Sequence, residues 1–343
     1  MAEPLPCLPA KRGRSTISAE QFRLFALEAT AEFGKAIAGR LGQSLSPHEE
    51  RDFEDGEHKI RPLTAVQNAD VYVVQSLHGG PTESANDKLC RLLFFIGALK
   101  DAGAARVTAA VPYLCYARKD RRTKANDPVT SRYVAALFEA VGTDAVVTLE
   151  VHNPAAFENA FRRRTVALTA TPLFVEYARR LAGEKLCVIS PDTGGAKRAE
   201  LFRDTLQMAG GREIGSGFAE KHRSAGIVSG DLFVGDVEGA TVLVIDDLVS
   251  TGNTLLRAAR AARRHGAMRV VAMVTHGLFM SGAAEIFADP AIDRLVVTDT
   301  VPPFRLAPGC AQDKLDILPA APLFAEAVSR LHDGRGLADL LAF

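Results

Sequence analysis

The segment 242–254, which reads VLVIDDLVSTGNT, constrains the fold of this chain more than any other. A short run of apolar, mostly β-branched residues leads into two adjacent carboxylates, Asp246 and Asp247. A turn of small residues follows and passes directly into a segment of helical period. Apolar runs of this length are typical of strands in a sheet that helices cover on both faces. We therefore predict a strand, a loop and a helix in that order.

The same alternation extends along the chain from Arg23 onward. Short β-branched runs alternate with longer segments of helical period, which predicts an α/β fold with a mainly parallel sheet flanked by helices. Strands are predicted at 71–75, 106–110, 145–149, 186–190, 241–245, 269–274 and 294–298. Helices are predicted over 89–99 after the N-cap types Asn86 and Asp87, over 134–141 before Gly142, and over 255–265 before Gly266.

The two halves of this pattern resemble each other in outline, and a length of 343 residues suggests two domains. We predict a first domain over 23–165, a second over 166–320, and a C-terminal helix and tail over 321–343 that pack back on the first domain. Residues 1–22 contain three prolines and few large apolar side chains, so we expect a poorly ordered extension there.

Composition limits the partners of the chain. Lys and Arg together number 41, as do Asp and Glu, so there is no global basic field to attract nucleic acid or an anionic membrane. No apolar h-region follows Lys11, Arg12 and Arg14, and no later run is long enough to span a bilayer. The five cysteines, at 7, 90, 115, 187 and 310, form no CxxC pair and are interpreted as buried thiols in a reducing compartment. We expect a cytoplasmic protein.

The loop of the opening segment has the composition of a phosphate site. Backbone N–H groups and hydroxyls can face a phosphate at a helix N-terminus, where the helix dipole also favours an anion. The residues that would do so are Ser250, Thr251, Gly252, Asn253 and Thr254. Asp246 and Asp247 can accept hydrogen bonds from sugar hydroxyls or help to hold a cation. The alternative is an ordinary strand-to-helix turn with a capping Thr and two solvated acids.

The whole string resembles the phosphoribosyl diphosphate (PRPP) signature of type I phosphoribosyltransferases and of ribose-phosphate pyrophosphokinases, and it does not separate the two. The rest of the chain resembles the pyrophosphokinase family, the PRPP synthetases, from about Leu24 onward. The matching segments are FEDGE at 53–57, NDKL at 86–89, PYLCYARKDR at 112–121, SPDTGGAKR at 190–198 and the Lys-x-Arg pair at 221 and 223.

This resemblance implies two tandem phosphoribosyltransferase-like domains and a Mg²⁺-dependent transfer of diphosphate from ATP to ribose 5-phosphate. It implies ATP contacts at Arg118, Lys119, Asp120 and His152, with Phe53, Asp55 and Glu57 supplied by a neighbouring subunit of a homo-oligomer, a dimer or a hexamer. It implies a ribose 5-phosphate site at Asp192, Gly194, Gly195, Asp246, Asp247 and the loop 250–254. The metal contributors implied are His152 and Asp192, and the catalytic cations are Lys221 and Arg223.

Each of these groups also has a structural interpretation. The basic run 118–122 suits a triphosphate, but a solvated charged loop has the same composition. His152 is either a structural histidine or a site residue, and its place after the apolar run 145–151 is where open α/β sheets bind ligands. Lys221 lies in the glycine- and serine-rich stretch 217–230, which we predict to be a mobile loop; it is either a surface lysine or a cation that closes over ATP.

Three segments depart from the family pattern and keep two other functions open. Lys119 stands where the family has glutamine, 250–254 reads STGNT where these synthetases have DTAGT, and 61–68 does not resemble the phosphate-sensing regulatory segment. The alternatives are a phosphoribosyltransferase that consumes PRPP and a non-catalytic regulatory subunit. Release of AMP from ATP and ribose 5-phosphate distinguishes a synthetase from both.

Overall fold

A computed structural model describes residues 21–181, 185–211, 213–224, 227–311 and 313–341, with the backbone alone at 220–224 and 227–232. The chain divides into two compact units. One comprises the described residues up to Thr169 together with those from Ala320 onward, and the other comprises Ala170–Pro319. The expected N-terminal extension lies outside the described residues except for its last two positions.

The first unit is built on a sheet of short, apolar strands. Its strands are β1 (Phe22–Ala26), β2 (His48–Asp52), β3 (His58–Pro62), β4 (Asp70–Val74), β5 (Arg106–Val111), β6 (Ala145–Leu149) and β7 (Arg164–Leu168). Five of them form one sheet in the order β1-β4-β5-β6-β7, and every pairing in it is parallel. Strands β2 and β3 form a separate antiparallel hairpin.

Helices cover this sheet because its strands are apolar on both faces; every residue of β6 is buried. They are α1 (Ala31–Leu41), α2 (Ala85–Asp101), α3 (Thr130–Ala140) and α4 (Pro154–Ala160). Helix α2 begins at Ser84, whose hydroxyl accepts from the Asp87 N–H while the Asp87 carboxylate accepts from the Ser84 N–H. Our prediction of Asn86 or Asp87 as the N-cap is therefore wrong. Asp87 is instead the third helical residue of a capping box.

The second unit repeats the same architecture. Its strands are β8 (Leu186–Ser190), β9 (Gly215–Ser224), β10 (Ile227–Val234), β11 (Thr241–Val249), β12 (Arg269–Gly277), β13 (Arg294–Thr298) and β14 (Leu315–Leu318). Its helices are α5 (Thr171–Ala178), α6 (Ala196–Gly210), α7 (Asn253–Arg264) and α8 (Glu285–Ala288). The sheet has the order β10-β9-β8-β11-β12-β13-β14, in which β9 and β10 pair in antiparallel fashion and all other neighbours are parallel.

The last helix, α9 (Ala321–His332), packs on the first unit. Phe324 meets Phe33 of α1 edge to face, with the ring centroids 5.5 Å apart. His332 Nδ1 lies 2.6 Å from the Asp70 carboxylate, which also accepts from Arg106 Nε at 2.7 Å. After α9, Leu341 forms an isolated antiparallel β-bridge with Leu168 of β7. Because these contacts combine ring packing with charged hydrogen bonds, α9 belongs to the core of this unit rather than to its surface.

Several predicted boundaries need correction. Strands β11 and β12 continue beyond Ile245 and Val274 because their pairing runs on to Val249 and Gly277. The stretch predicted to be a mobile loop at 217–230 contributes backbone to the β9–β10 hairpin. Of the cysteines, Cys115 and Cys187 are buried, whereas Cys90 and Cys310 are only partly so and do not fit the predicted set of buried thiols; Cys7 lies outside the described residues. No helix among the described residues is long and apolar enough to cross a membrane.

Two glycines of α1 provide a test of how this helix packs. A methyl group at Gly34 would overlap the side chain of Ala26 on β1, whereas one at Gly39 would meet no atom within 4 Å. We expect Gly34→Ala to lower the free energy of unfolding by about 1–3 kcal/mol through overpacking. We expect Gly39→Ala to raise it by about 0.5–1 kcal/mol, because alanine restricts the unfolded chain and favours the helix. Urea unfolding of both variants measures the pair, and equal effects would contradict this packing of α1.

Candidate active site

The two acids of the second unit lie within the end of β11. The strand pairs with β12 as far as Val249, so Asp246 and Asp247 are strand residues rather than part of the turn. The Asp247 N–H donates to Asp246 Oδ1 at 2.9 Å. Arg198 of α6 places Nη1 at 3.7 Å from a carboxylate oxygen of each acid. The end of β11 and the start of α6 therefore form one charged cluster.

The ionisation of this cluster is unusual. Burial, and then the adjacent charge of Asp247, raise the pKa of Asp246 well above its ordinary value, while Arg198 opposes the shift. Asp247 is the more enclosed of the two, with 7% of its side chain exposed against 17% for Asp246. Two neighbouring carboxylates that share one partly enclosed cation can accept hydrogen bonds from vicinal hydroxyl groups.

The loop that follows is shaped by Gly252. This residue is the N-cap of α7 and has a φ of 85°, in the left-handed region that favours glycine. A methyl group there would overlap the side chain of Ile286. The segment that follows β12 also holds the loop, because the Met280 N–H donates to the Ser250 carbonyl at 2.9 Å. The first N–H groups of α7 have no partner within the helix, and the loop leaves them at the carboxyl edge of the sheet.

The second loop of the site follows β8. The Gly195 N–H donates to Asp192 Oδ1 at 3.1 Å, and the Ser190 hydroxyl donates to the Asp192 carbonyl at 2.5 Å. A methyl group on Gly195 would lie 2.7 Å from the Ser190 hydroxyl, so the turn depends on glycine at that point. Arg257 of α7 donates to the Pro191 carbonyl at 3.1 Å and ties the two loops together. The structure thus brings the predicted ribose 5-phosphate residues to neighbouring loops of one sheet, after β8 and β11.

The basic loop of the first unit, residues 116–122, follows β5 and is attached at three places. Tyr116 Oη donates to the Asn86 side chain on α2, and the Ser131 N–H of α3 donates to the Lys119 carbonyl at 3.2 Å. The Asp120 carboxylate accepts from Asn153 Nδ2 at 2.8 Å. Arg118 and Lys119 are exposed between these attachments.

His152 follows β6, the neighbour of β5 in the sheet, and is exposed. The adjacent residue Asn153 caps α4, because its side chain accepts from the Ala156 N–H at 3.1 Å. The same side chain donates to Asp120. The structure therefore brings the predicted ATP residues Asp120 and His152 to one edge of this sheet.

The FEDGE segment forms the turn of the β2–β3 hairpin. The Phe53 N–H donates to the Glu57 carbonyl at 2.8 Å, and Asp55 accepts from the Glu57 N–H at 3.0 Å. Phe53 is 40% exposed. In the described part of the chain, no hydrogen bond or ion pair joins this turn to the basic loop. The turn is therefore a projecting group that the rest of its own unit does not enclose.

Some predicted site residues stand apart. Lys221 and Arg223 lie on β9, where their backbones pair with Asp231 and Val228, and their side chains are outside the described residues. His152 belongs to the first unit and Asp192 to the second, so the predicted metal contributors are carried by different units. Among the described residues, no group of three or more His, Cys, Asp and Glu side chains is arranged to hold a metal ion.

The sequence interpretation missed three residues that organise the site. They are Arg198, Asn153 and Arg91. The Arg91 guanidinium pairs with Asp52, the residue before the FEDGE turn, and with Glu83 at 2.7 Å. For Asn153 a signal was present, because Asn followed by Pro is the pattern of an N-cap and a first helical residue. Arg198 closes the matched segment 190–198, but neither its contacts nor those of Arg91 had a local signal, since the partners are distant in sequence.

Comparison with known proteins agrees with this architecture. Residues 22–142 match the family model for the N-terminal domain of ribose phosphate pyrophosphokinase. Residues 168–286 match the phosphoribosyl transferase domain, and residues 231–342 match the phosphoribosyl synthetase-associated domain. The chain is 34% identical to a ribose-phosphate pyrophosphokinase of Caldanaerobacter subterraneus subsp. tengcongensis over 93% of this chain and 97% of the relative. The chain belongs to the ribose-phosphate pyrophosphokinase family.

Other relatives of this family give the same result. A ribose-phosphate pyrophosphokinase of Aquifex aeolicus is 33% identical over 89% of this chain and 94% of its own length. The crystal structure of a phosphoribosylpyrophosphate synthetase from Mycobacterium smegmatis matches with a TM-score of 0.81 at 31% identity, over 92% of this chain and all of the other. The resemblance drawn from the motifs is confirmed, as is the fold of two phosphoribosyltransferase-like domains.

The raised pKa of Asp246 predicts that the free energy of unfolding depends on pH. As the pH rises from the unfolded carboxyl's pKa to the folded one, the unfolded chain loses a proton that the folded chain retains, so the free energy of unfolding falls. We expect Asp246→Asn to abolish this decline and to exceed the native protein in stability at pH 8 by on the order of 1 kcal/mol. Urea unfolding from pH 4 to pH 8 measures this difference, which should vanish at the acid end.

Asp236→Asn is the matched control. Asp236 is exposed, and a hydrogen bond from Lys185 lowers its pKa, so its stabilising effect is present above the unfolded pKa and lost as the pH falls. We expect this variant to be no more stable than the native protein at pH 8. If Asp246→Asn were less stable than the native protein at pH 8, the pKa of Asp246 would not be raised as described.

Proposed function

We propose that this chain is a working ribose-phosphate pyrophosphokinase, which transfers the diphosphate group of ATP to the 1-hydroxyl of ribose 5-phosphate. The hydroxyl oxygen forms a bond to the β-phosphorus, the bond from that phosphorus to the oxygen shared with the α-phosphate breaks, and AMP leaves as the hydroxyl proton is lost. The products are PRPP and AMP. The observation that carries this proposal is the match of 22–142 to the synthetase N-terminal domain, which a phosphoribosyl transferase domain alone does not explain.

The second unit supplies the ribose 5-phosphate side of this proposal. The loop 250–254 and the N-terminus of α7 offer donors to the 5-phosphate, and Asp246 and Asp247 accept from ribose hydroxyls. Asp192, Gly194 and Gly195 lie on the adjacent loop, where backbone N–H groups can face a diphosphate. The geometry supports this division because both loops lie at the carboxyl ends of neighbouring strands, β8 and β11.

The first unit supplies the ATP side. Arg118 and Lys119 are exposed cations beside Asp120, and His152 follows the next strand. We propose that they bind the triphosphate and ribose of ATP. We further propose that Phe53, Asp55 and Glu57 hold the adenosine of a neighbouring subunit's ATP, so that the active enzyme is a homo-oligomer. The exposure of the FEDGE turn, which no hydrogen bond or ion pair among the described residues joins to the basic loop, supports this arrangement.

Mg²⁺ fits the donors of this site. It is usually held by one or two carboxylates together with substrate phosphates, so a cluster of protein ligands is not required. Asp192 is exposed and gives one carboxylate oxygen to the Gly195 N–H, which leaves the other for a cation. We propose that Asp192 binds Mg²⁺ and that His152 contributes from the ATP side. When bound, Mg²⁺ would offset the charge of the phosphate oxygens.

The transferred group gathers negative charge, which nearby cations stabilise. We propose Lys221 and Arg223 for this role because they precede the PRPP signature strand at the family's spacing. The hairpin β9–β10 that carries them is joined to β8, the strand before the Asp192 loop. We also propose that the enzyme acts in the cytoplasm.

The deciding experiment is an assay of the purified protein with Mg²⁺, ATP and ribose 5-phosphate. We expect release of AMP and formation of PRPP in equal amounts. A protein that releases no AMP, but forms diphosphate from PRPP and a nucleobase, would be a phosphoribosyltransferase. A protein with neither activity that still binds an active synthetase would be a regulatory subunit. Either result would overturn the proposal.

The catalytic role of Lys221 gives a second prediction. We expect Lys221→Ala to lower kcat by at least about 10²–10³-fold, because one positioned cation opposite developing charge is worth that much. The KM for ribose 5-phosphate should change less than kcat does. Lys35→Ala is the control, since Lys35 is an exposed lysine on α1 that pairs with Glu32 of the same helix. An unchanged kcat for Lys221→Ala would remove the role proposed for this hairpin.

A further inference from the structure

The basic loop 116–122 must hold its charged side chains in place without a regular element of its own. Its attachments to α2 and α3, through Tyr116 and the Lys119 carbonyl, act on a phenol and on backbone. The attachment to α4 differs because it acts on the carboxylate of Asp120 itself. Asp120 is one of the residues proposed to contact ATP, so whatever orients this carboxylate also orients the nucleotide site.

Asn153 makes this attachment with a side chain that is itself held by a second hydrogen bond. Its amide oxygen accepts from the Ala156 N–H at 3.1 Å, and its amide nitrogen donates to Asp120 Oδ2 at 2.8 Å. The first contact fixes the side chain to the start of α4, where Pro154 also restricts the backbone. The second contact therefore joins Asp120 to a side chain that is already bound to the start of α4. One amide group links the loop after β5 to the turn after β6 that carries His152.

This hydrogen bond lies at the surface, beside a mainly apolar patch of the fold. Asp120 and Asn153 border a small cavity whose other lining is mainly apolar, including Leu114, Val134 and Phe157. Water can reach the pair, so this hydrogen bond acts by giving the Asp120 carboxylate one direction rather than by unusual strength.

We infer that Asn153 is a positioning residue for the nucleotide, which orients the Asp120 carboxylate and couples the basic loop to the His152 turn. The inference rests on the proposed function, because it assigns Asp120 and His152 to the ATP side. Asn153 need not touch ATP. It acts through Asp120, and loss of its donor should weaken ATP binding while ribose 5-phosphate binding in the other unit is preserved.

Two substitutions separate this role from helix capping. Ser and Asp are both good N-cap residues, so Asn153→Ser and Asn153→Asp keep the cap of α4. Serine is too short to reach Asp120, and aspartate places a second carboxylate where the donor was. We expect Asn153→Ser to raise the KM for ATP about tenfold and Asn153→Asp to raise it further, with the KM for ribose 5-phosphate changed by less than about twofold.

The reciprocal variant supplies the rescue. In D120N/N153D the amide and the carboxylate exchange places, so the new amide on the basic loop donates to the new carboxylate at the start of α4, and the charge of the pair is unchanged. Independent effects would multiply, whereas coupled residues should give a KM for ATP at least about tenfold below the product of the two single effects. Asn159→Asp adds the same charge to the exposed side of α4 and should leave both KM values near those of the native protein.

The measurements are initial-rate kinetics for both substrates and calorimetric affinity for a non-hydrolysable ATP analogue, with thermal unfolding to show that each variant folds. The inference would be overturned if Asn153→Ser left ATP binding unchanged, if both KM values rose alike, or if the double variant followed the product. If the native protein bound the analogue but released no AMP, the proposed function would fail, and the calorimetric series would still decide the role of Asn153.

Discussion

The parallel pairing of buried strands is the constraint on which the rest of this structure depends. In each unit the central strands are apolar on both faces, so helices must cover the sheet and every crossover returns the chain to the same edge. The loops after β5 and β6, and those after β8 and β11, consequently lie side by side. Residues far apart in sequence, such as Asp192 and Asp247, are brought to one edge of a sheet by backbone pairing before any side chain is considered.

Steric limits at two glycines then give the second unit its loop shapes. Gly252 adopts a left-handed φ, and Gly195 lies too near the Ser190 hydroxyl to carry a side chain. Both positions precede a helix, α7 or α6, so the same constraint that bends the chain also directs the first helical N–H groups to the loop. Arg198, in the first turn of α6, reaches Asp246 and Asp247 from this placement. The acids can remain close together because the Arg198 cation of α6 offsets part of their repulsion.

The sequence predicts the central strands well and the site contacts poorly, for physical reasons. Strands β6, β8 and β13 were predicted at their observed limits because continuous apolar runs register burial directly. Strands β2 and β3 were missed because HEERD and HKIRP are half-exposed and charged, and the Arg91 of α2 that pairs with Asp52 is distant in sequence. The motifs located the loops of the site through family resemblance. They could not reveal that Asn153 holds Asp120 or that Arg198 meets both acids, because those contacts depend on which loops the sheet places side by side.

The two units have similar scaffolds whose loops carry opposite local charge. In the first unit, the loop after β5 is basic and carries Arg118 and Lys119; in the second, the end of β11 is acidic and carries Asp246 and Asp247. Since the chain as a whole has no net charge, this local separation, and not a global field, determines which ligand each edge can attract. A cationic edge suits the triphosphate of a nucleotide, and a carboxylate pair beside a helix N-terminus suits a sugar with both hydroxyls and a phosphate. A diphosphate transfer needs both kinds of edge, and this chain contains one of each.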